Sequence, residues 1–372
     1  MFSTIRFATL LVLTLWPAIA FSQANGKLQI HFIDVGQGDG AVLISPGGEV
    51  VLFDDGVRNN CNLPLSYLQQ LGVTKIDYHI ASHYHDDHIG CAPEVFQEFP
   101  LLKDAIDRGG SSRSSTFQKY LSAVGSHRKG GTPGMKITLD SQSATPVVIQ
   151  IAALNGDGVQ TTNENDLSVA AVVHYGQFDA EIGGDLSGYK SESYEDIESS
   201  VAPKVGQIEV YKVHHHGSRY SSNDTWLSKT KPMVAIISAS GTIGRNYGHP
   251  TPECLERLHN AGVRKTYWTE IGGGAEPEPA LDVVGGNIVV EVPSSGNSFA
   301  VKYKGGTQVD NYPVWEAGQA PPDAAMTGYA WSKNSKVYHH ADCSYVANIS
   351  AENLERGSSP PAGKTLHKGC PK

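Results

Sequence analysis

The chain has 372 residues and a formal charge of −9, with 29 Lys and Arg against 38 Asp and Glu. That length allows one large domain with a substantial core plus a small appendage. An acidic protein has no general electrostatic attraction to nucleic acid, so the charge argues against binding through a broad basic surface. Any contact with nucleic acid must be local and assisted by metal.

The first 24 residues are typical of a secretory signal peptide. Arg6 precedes an apolar run from Phe7, and small residues allow cleavage after Ala20 or Ala24. The alternative is an uncleaved membrane anchor, but the run is short and Pro17 interrupts it. We therefore expect a secreted or periplasmic protein with no stable membrane insertion once the leader is removed.

Alternating and apolar runs predict strands, helical spacing predicts a helix over 64–71, and most loops between them are short. One large domain over residues 25–305 would contain these strands, at 27–34, 41–44, 50–54, 76–82, 169–175, 178–182, 208–213, 233–238, 288–292 and 299–303. The stretch 107–134 is rich in Gly, Ser, Arg and Lys and lacks periodicity, so it is predicted to be a long loop or flap near the site. A helix is predicted from Pro252.

A dense group of metal-ligand residues follows the strand 76–82, namely His83, His85, Asp87 and His88. Imidazoles two positions apart in an extended segment point the same way and can share one metal. Asp87 and His88 can turn toward a second metal a few ångströms away. The alternative, a solvated polar loop, does not account for four ligand-type side chains within six positions directly after an apolar strand.

Two later strand ends supply the rest of a two-metal site. Asp185 follows a Gly-Gly pair and suits a bridging carboxylate, and the run His214 to His216 supplies an imidazole. The sequence leaves open whether His215 or His216 is the ligand. All these ligands are nitrogen or oxygen donors, which is compatible with two divalent ions such as Zn or Mn and does not choose between them.

Five cysteines remain in the chain, and pairing is the default state in an oxidising compartment. Cys61 and Cys91 flank one predicted helix and strand, so they are candidates for a disulfide. Cys254 lies inside a helical run and is interpreted as a buried small apolar residue.

Residues 306–324 are rich in Gly, Pro and Ala and are predicted to be a linker to a tail module, residues 325–372. The tail has two His–Cys pairs, His339 with Cys343 and His367 with Cys370, whose spacing would fit a structural zinc site. A plain disulfide between Cys343 and Cys370 is the alternative.

These motifs resemble the metallo-β-lactamase superfamily and, more narrowly, the hydrolase domain of the ComEC/Rec2 competence proteins. The resemblance covers about Gly26 to Tyr303 and is carried by IDVGQGD at 33–39, GDL at 184–186, KVHHHGS at 212–218 and YGHP at 247–250. It implies an α/β fold, a four-layer αβ/βα sandwich with the metals at one edge of two sheets. The tail is similar to a small metal-binding module related to the Ada repair protein, with His367 where a Cys is more usual.

One departure from the superfamily concerns the metal held by His83 and His85. Superfamily members usually have a further histidine before the bridging aspartate, and the matching stretch here has none; ComEC-like members tend to carry Asn, here Asn165. His127 lies in the intervening basic segment and is not expected to replace it. The first metal is therefore expected to be more weakly held or more hydrated than its neighbour.

The resemblance implies a secreted dinuclear hydrolase that cleaves phosphodiesters, with DNA as a candidate substrate and a metal-bridging hydroxide as nucleophile. Asp34 is predicted to orient a ligand or the metal-bound water, alongside Asp87. His249 is predicted to donate to a substrate oxygen, although a helix-capping role is an equal alternative, and Ser218 and Asn165 to bind substrate.

Two other functions stay open at this point. One is hydrolysis of a small ester, lactone, lactam or phosphocholine-type substrate at the same metals; the other is a nucleic-acid or cell-wall binding protein with a vestigial site. A nuclease predicts a positive groove beside the metals, for which the candidate residues are Arg108, Arg113, Lys119, Arg128 and Lys129. The oligomeric state is not predicted.

Overall fold

The computed structural model describes residues 24–241, 247–315, 329–340, 349, 353–357 and 361–367. The predicted signal peptide thus lies outside the described residues, apart from Ala24. Within the described ranges, no helix has the length and apolar character needed to cross a membrane.

Nine strands form the first sheet, which combines the N-terminal strands with the last strands of the domain. Its order is β17-β16-β15-β1-β2-β3-β4-β5-β6. The strands are β1 (Leu28–Phe32), β2 (Gly40–Ile44), β3 (Val50–Asp55), β4 (Tyr78–Ile80), β5 (Ala105–Asp107), β6 (Arg128–Gly130), β15 (Ile288–Val292), β16 (Ser298–Tyr303) and β17 (Gln308–Pro313). Strands β3 to β6 are parallel, so their carboxyl ends lie at one edge.

Eight strands form the second sheet, in the order β14-β13-β12-β11-β10-β9-β8-β7. They are β7 (Lys136–Leu139), β8 (Val147–Ala153), β9 (Ala170–Tyr175), β10 (Phe178–Gly183), β11 (Val210–Lys212), β12 (Val234–Ile237), β13 (Lys265–Trp268) and β14 (Asp282–Val284). Strands β10 to β14 are parallel, and the buried apolar run of β12 is typical of a strand covered on both faces.

Three buried apolar clusters define four layers. The central cluster joins residues of both sheets, such as Leu28, Ile30 and Phe32 with Val210 and Ile236. The outer two clusters bury the helices against the opposite face of each sheet. The helices are α1 (Asn62–Gln70), α2 (Asp86–Ile89), α3 (Ala92–Glu98), α4 (Ser115–Val124), α5 (Glu198–Val205), α6 (Asp224–Thr230) and α7 (Pro252–Asn260). The predicted four-layer αβ/βα sandwich is confirmed.

The prediction of a flap over 107–134 is wrong, because this stretch contains helix α4 between strands β5 and β6. Ser114 caps the helix by accepting a hydrogen bond from the backbone N–H of Phe117 at 3.1 Å. Phe117, Tyr120 and Val124 are buried at helical spacing, and polar residues between them mask the period in the sequence.

The predicted linker begins too early. Strand β17 pairs with β16 along its whole length, and Val314 is buried in the central core. The Trp315 backbone N–H donates to Glu209 at 2.8 Å, which ties the end of the domain to the second sheet. Gly305 and Gly306 therefore form a hairpin turn inside the domain.

The predicted disulfide between Cys61 and Cys91 is present and spans a sequence separation of 30 residues. Cys254 is free and buried, as predicted. In the tail, the described residues form a four-stranded sheet of order β20-β18-β19-β21. Its strands are β18 (Tyr329–Ser332), β19 (Val337–His340), β20 (Leu354–Gly357) and β21 (Thr365–Leu366).

Candidate metal centre

The first group of ligands stands at the carboxyl end of β4. His85 is extended, with φ −74° and ψ 156°, and it directly precedes helix α2. His83 and His85 consequently lie side by side, with 2.9 Å between His83 Nε2 and His85 Nδ1. The helix then carries Asp87 and His88 away from this pair, toward a second position, as the spacing predicts.

Asp185 follows β10 in the second sheet and faces both groups. A Cβ atom at Gly184 would come within 2.6 Å of Ser82 Cβ, so glycine is needed where the two sheets approach each other. Asp185 Oδ1 lies 3.4 Å from His88 Nε2 and 3.6 Å from His216 Nε2. Asp185 Oδ2 lies 3.9 Å from His83 Nε2 and 3.7 Å from His215 Nε2. Each oxygen thus faces its own pair of imidazoles.

The histidine run after β11 divides between structure and site. His214 turns away from Asp185 and contacts Glu181 and Glu198 at 3.2 and 2.7 Å. Although burial disfavours the imidazolium, these two carboxylates raise the pKa of His214 to about 9. His215 and His216 both have left-handed backbone, with φ 48° and 54°. Such strain in consecutive non-glycine residues is often retained at functional sites, and here both imidazoles face Asp185.

Buried atoms without hydrogen-bond partners test whether this group fits metal ions. Among the described residues, such atoms include His88 Nε2, His216 Nε2 and Asp185 Oδ1, which face one another. Burial opposes the Asp185 carboxylate, yet His88, His216 and His215 hold its pKa well below the usual range. A divalent cation would satisfy all three atoms at once. Two groups with ligand atoms within 4.8 Å of one another are His83–His88–Asp185 and Asp87–His88–His216.

Both histidines between which the sequence leaves the choice open lie at the candidate metal centre. Both face Asp185, but from opposite carboxylate oxygens. His216 completes the group with Asp87 and His88, since its Nε2 is 3.7 Å from Asp87 Oδ2. His215 and His83 both face Asp185 Oδ2, so His215 can supply the imidazole that the sequence lacks between His88 and Asp185.

Two buried aspartates in contact with the ligand imidazoles were missed by sequence reasoning. Asp54 accepts from the Ser82 backbone at 2.7 Å and contacts His88 Nδ1 at 2.8 Å, which leaves His88 Nε2 toward Asp185. Asp39 Oδ1 lies 3.5 Å from His216 Nδ1. Burial alone would raise the pKa of Asp39, but Lys212, at 2.6 Å, lowers it below the usual range.

Asp34, predicted to orient a ligand, is not part of this group. Its carboxylate accepts from the Gly36 backbone N–H at 3.3 Å, inside its own loop. Burial and the nearby Glu270 raise the pKa of Asp34 to about 6. The acidic residues that touch the ligand imidazoles are Asp39 and Asp54 instead. In the sequence, Asp39 ends the GQGD turn and Asp54 ends an apolar strand, positions that ordinary turn-forming residues also take.

An open pocket with a volume of about 530 Å³ lies over the candidate metal centre. Three further predicted residues, His249, Ser218 and Asn165, line it. Asn165 Nδ2 lies 3.2 Å from His215 Nε2, and the His249 ring centroid lies 5.2 Å from that of His215. Burial, then the neighbouring His215 and His216, lower the pKa of His249 to about 3.

The five candidate residues for a positive groove do not form one, and none of them lines the pocket. Arg108 is bound to Glu164 at 2.8 Å, Arg128 to Asp107 at 2.6 Å and Lys129 to Asp104 at 3.0 Å. Arg113 and Lys119 are exposed on or next to helix α4. The prediction of a groove is wrong: Arg128 and Lys129 form ion pairs within the first sheet, and Arg108 is bound to Glu164 in the loop before β9.

In the tail, the two predicted histidines come together. Strands β19 and β21 pair in parallel, and the ring centroids of His339 and His367 are 4.8 Å apart. Cys343 and Cys370 lie outside the described residues, so zinc binding and a disulfide both stay predictions.

Comparison with known proteins identifies the family. The sequence profile of the metallo-beta-lactamase superfamily matches residues 40–241. ComE operon protein 3 of Bacillus subtilis is 25% identical over 259 residues, which are 63% of this chain and 31% of that protein. Recombination protein 2 of Haemophilus influenzae is 26% identical over 255 residues, 67% of this chain and 29% of that protein. The chain thus spans about a third of the length of these curated relatives.

Among solved structures, a diphosphatase of the PhnP family has a TM-score of 0.38 and 11% identity, over 71% of this chain and 98% of its own. The profile covers more than half of the chain. The matched residues include His83 to His88, Asp185 and His214 to His216. The chain is a metal-dependent hydrolase by fold and belongs to the metallo-beta-lactamase superfamily.

Proposed function

We propose that the protein is a secreted, dinuclear metal-dependent phosphodiesterase that acts on nucleic acid. The observation that carries this proposal is the arrangement around Asp185, whose two oxygens each face a separate pair of imidazoles. A carboxylate in this position suits two ions that share one bridge. Two ions held a few ångströms apart are a common arrangement for in-line phosphoryl displacement.

When bound, the ions would neutralise charge on a phosphoryl oxygen and lower the pKa of a water molecule. Side chains of the protein bind the substrate and orient the ligands. His249, on the pocket wall, donates an N–H to a substrate oxygen, and Ser218 and Asn165 hold the phosphate in position. Asp39 and Asp54 orient His216 and His88, so that each ligand nitrogen points at the centre.

Two observations support the substrate and the compartment. One curated relative is named a recombination protein, which favours a nucleic-acid substrate, although this chain matches only part of that protein. The disulfide between Cys61 and Cys91 favours an oxidising compartment, since such bonds rarely persist in the cytosol.

The test uses the purified mature protein with added Mn or Zn, together with bound-metal analysis. Its substrates are a chromogenic phosphodiester and linear and circular DNA. Asp185→Ala and His85→Ala should lose both metal and hydrolysis, whereas His127→Ala, which changes a partly buried histidine outside the pocket, should keep both. Hydrolysis of lactams or carboxylic esters with no phosphodiester cleavage by the metal-loaded protein would overturn the proposal. Full metal occupancy with no hydrolysis of any of these would indicate a vestigial site.

A further inference from the structure

An arc of aromatic rings runs across the pocket wall from the candidate metal centre outward. Tyr194 lies edge-on to the ligand His215 with 5.7 Å between ring centroids, and Tyr220 lies 5.1 Å from Tyr194. The His249 ring also neighbours His215, with 5.2 Å between ring centroids, and the Tyr247 ring centroid is 6.3 Å from that of His249. All five rings line the same pocket.

These tyrosines are not core residues. Tyr247 has 65% of its surface exposed, and Tyr194 and Tyr220 are only partly buried. An exposed tyrosine face keeps apolar surface in water, which costs free energy that a stacked ligand would recover. The arc is therefore a surface suited to a flat ligand, and its inner end touches a metal-ligand histidine.

The charges of the pocket are the second part of the argument. Arg219 is exposed, and it is the one Lys or Arg among the described residues that line the pocket. No ion pair of Arg219 is found within the described residues, so its guanidinium is available to one phosphate. Asp86 and Asp87 also line the pocket. Phosphate attraction alone is thus too weak to hold a duplex backbone, which usually needs several cationic contacts.

Resting on the function proposed above, we propose that Tyr194, Tyr220 and Tyr247 form a subsite that stacks unpaired nucleobases and selects single-stranded nucleotide segments as substrate. The pocket volume of about 530 Å³ suits a ligand of small-molecule size, not a double helix. Only an unpaired base exposes the face that a tyrosine stacks on, and such stacking is tolerant of sequence. The phosphate beside the stacked base then reaches Arg219 and the metal centre.

The experiment measures binding to metal-loaded protein by fluorescence anisotropy. The probes are labelled phosphorothioate oligomers, which resist cleavage: oligothymidylate, oligouridylate, a backbone of equal length without bases, and a duplex. Wild type should bind oligothymidylate about tenfold more tightly than the abasic backbone, the ratio expected for one stacked base. Oligouridylate should match oligothymidylate, because the contacts are to the base, and duplex should bind no better than the abasic backbone.

Substitutions of the three tyrosines test whether these side chains cause the preference for oligothymidylate over the abasic backbone. Tyr194→Leu and Tyr220→Leu should bring the ratio close to one, while Tyr220→Phe retains the ring and should retain the ratio. Tyr247→Leu gives an independent check, since this exposed side chain is the least involved in folding. Equal binding of oligothymidylate and abasic backbone by wild type, or an unchanged ratio in all the leucine variants, would overturn the proposal.

Hydrolysis of the chromogenic diester by wild type separates the two proposals. If wild type hydrolyses this diester but does not distinguish bases from the abasic backbone, only the subsite fails. If it prefers bases but hydrolyses no diester, the subsite stands and the proposed phosphodiesterase activity fails.

Discussion

At the scale of single residues, the orientation of the ligand imidazoles depends on buried carboxylates behind them. Asp54 contacts His88 Nδ1 at 2.8 Å, and it also accepts two hydrogen bonds from Ser82. Since Asp54 occupies His88 Nδ1, the other ring nitrogen is left for a metal. A residue that binds no metal itself therefore decides which nitrogen is presented.

Asp54→Asn should weaken metal binding about 10- to 100-fold, because an amide offers His88 a weaker and less certain partner than a carboxylate. A competition titration with a chromophoric chelator measures this. The matched control is Asp34→Asn. Among the described residues, the Asp34 side chain accepts a hydrogen bond from Gly36 of its own loop, so this change should alter affinity less than twofold. Equal losses in the two variants would contradict the assignment of Asp54.

The contrast between Asp34 and Asp54 shows which residues of the site can be predicted from sequence patterns and which cannot. The candidate ligands His83, His85, Asp87 and His88 could be picked out because all four fall within six positions, and Asp185 because it stands after a glycine pair. Asp39 and Asp54 look like ordinary turn-forming residues at strand ends. Asp54 reaches His88 through the pairing of β3 with β4 inside the first sheet, and the packing of the second sheet on the first brings His216 to Asp39.

At the scale of elements, a salt bridge joins the loop of Asn165 to the first ligand loop. Glu164 accepts two hydrogen bonds from Arg108 and a third from the backbone N–H of Tyr84, which stands between His83 and His85. The Arg108 guanidinium also lies over the Tyr84 ring at 4.2 Å. The pair therefore fixes two loops that line the same site.

Glu164→Ala should lower the free energy of unfolding by about 2 to 4 kcal/mol, because it leaves the nearly buried Arg108 charge unpaired. Urea unfolding measures this. Lys129→Ala breaks an exposed ion pair with Asp104 and should cost less than about 1 kcal/mol. A loss for Glu164→Ala no larger than for Lys129→Ala would count against a structural role of the buried pair.

The disulfide is a second link between elements, since it ties the start of α1 to the residue before α3. Replacing both cysteines with serine should lower the free energy of unfolding by about 3 kcal/mol, chiefly by freeing the unfolded chain. A reducing agent should destabilise wild type and Cys254→Ala alike. An unchanged midpoint of unfolding in reductant would show that the bond contributes nothing to stability.

Helix α4 and strand β17 were not predicted from the sequence, and the physical reason is the same for both. Helix α4 has Gln and Lys between its buried Phe117 and Tyr120, and strand β17 is an exposed edge strand behind two glycines. Both depend on tertiary contacts more than on a strong apolar period. The buried strands β10 to β12, by contrast, are apolar enough to be recognised without those contacts.

At the scale of the whole molecule, buried histidines make folding stability sensitive to acid. His31 lies on β1, and its Nδ1 is 2.9 Å from the Tyr67 hydroxyl oxygen. Burial lowers the pKa of His31 from 6.5 to about 4, although Glu291 opposes the shift. As the pH falls below 6.5, the unfolded chain takes up this proton first, so stability present above pH 6.5 is lost toward pH 4.

Between pH 7.5 and 5, this one residue should cost about 2 kcal/mol of unfolding free energy. His31→Gln keeps a hydrogen-bonding group near Tyr67 and removes the titration, so its stability should fall less over the same range. Chemical denaturation at several pH values gives the comparison. Parallel pH curves for wild type and His31→Gln would exclude this residue as a source of acid sensitivity.

The candidate metal centre draws its ligands from both sheets. His83, His85, Asp87 and His88 follow the first sheet, whereas Asp185, His215 and His216 follow strands of the second. A cation bound there would take ligands from both halves of the sandwich, so the halves could not separate until the cation dissociated. Stability should therefore rise with the free metal concentration, by about 2.7 kcal/mol at a hundredfold excess over Kd.

A thermal melt at graded concentrations of Mn or Zn checks this expectation, with Asp185→Ala as the insensitive control. If the protein is secreted as proposed, the consequence concerns its lifetime. The chain would be most resistant to unfolding, and so to proteolysis, where metal is abundant, and most readily cleared where metal is scarce.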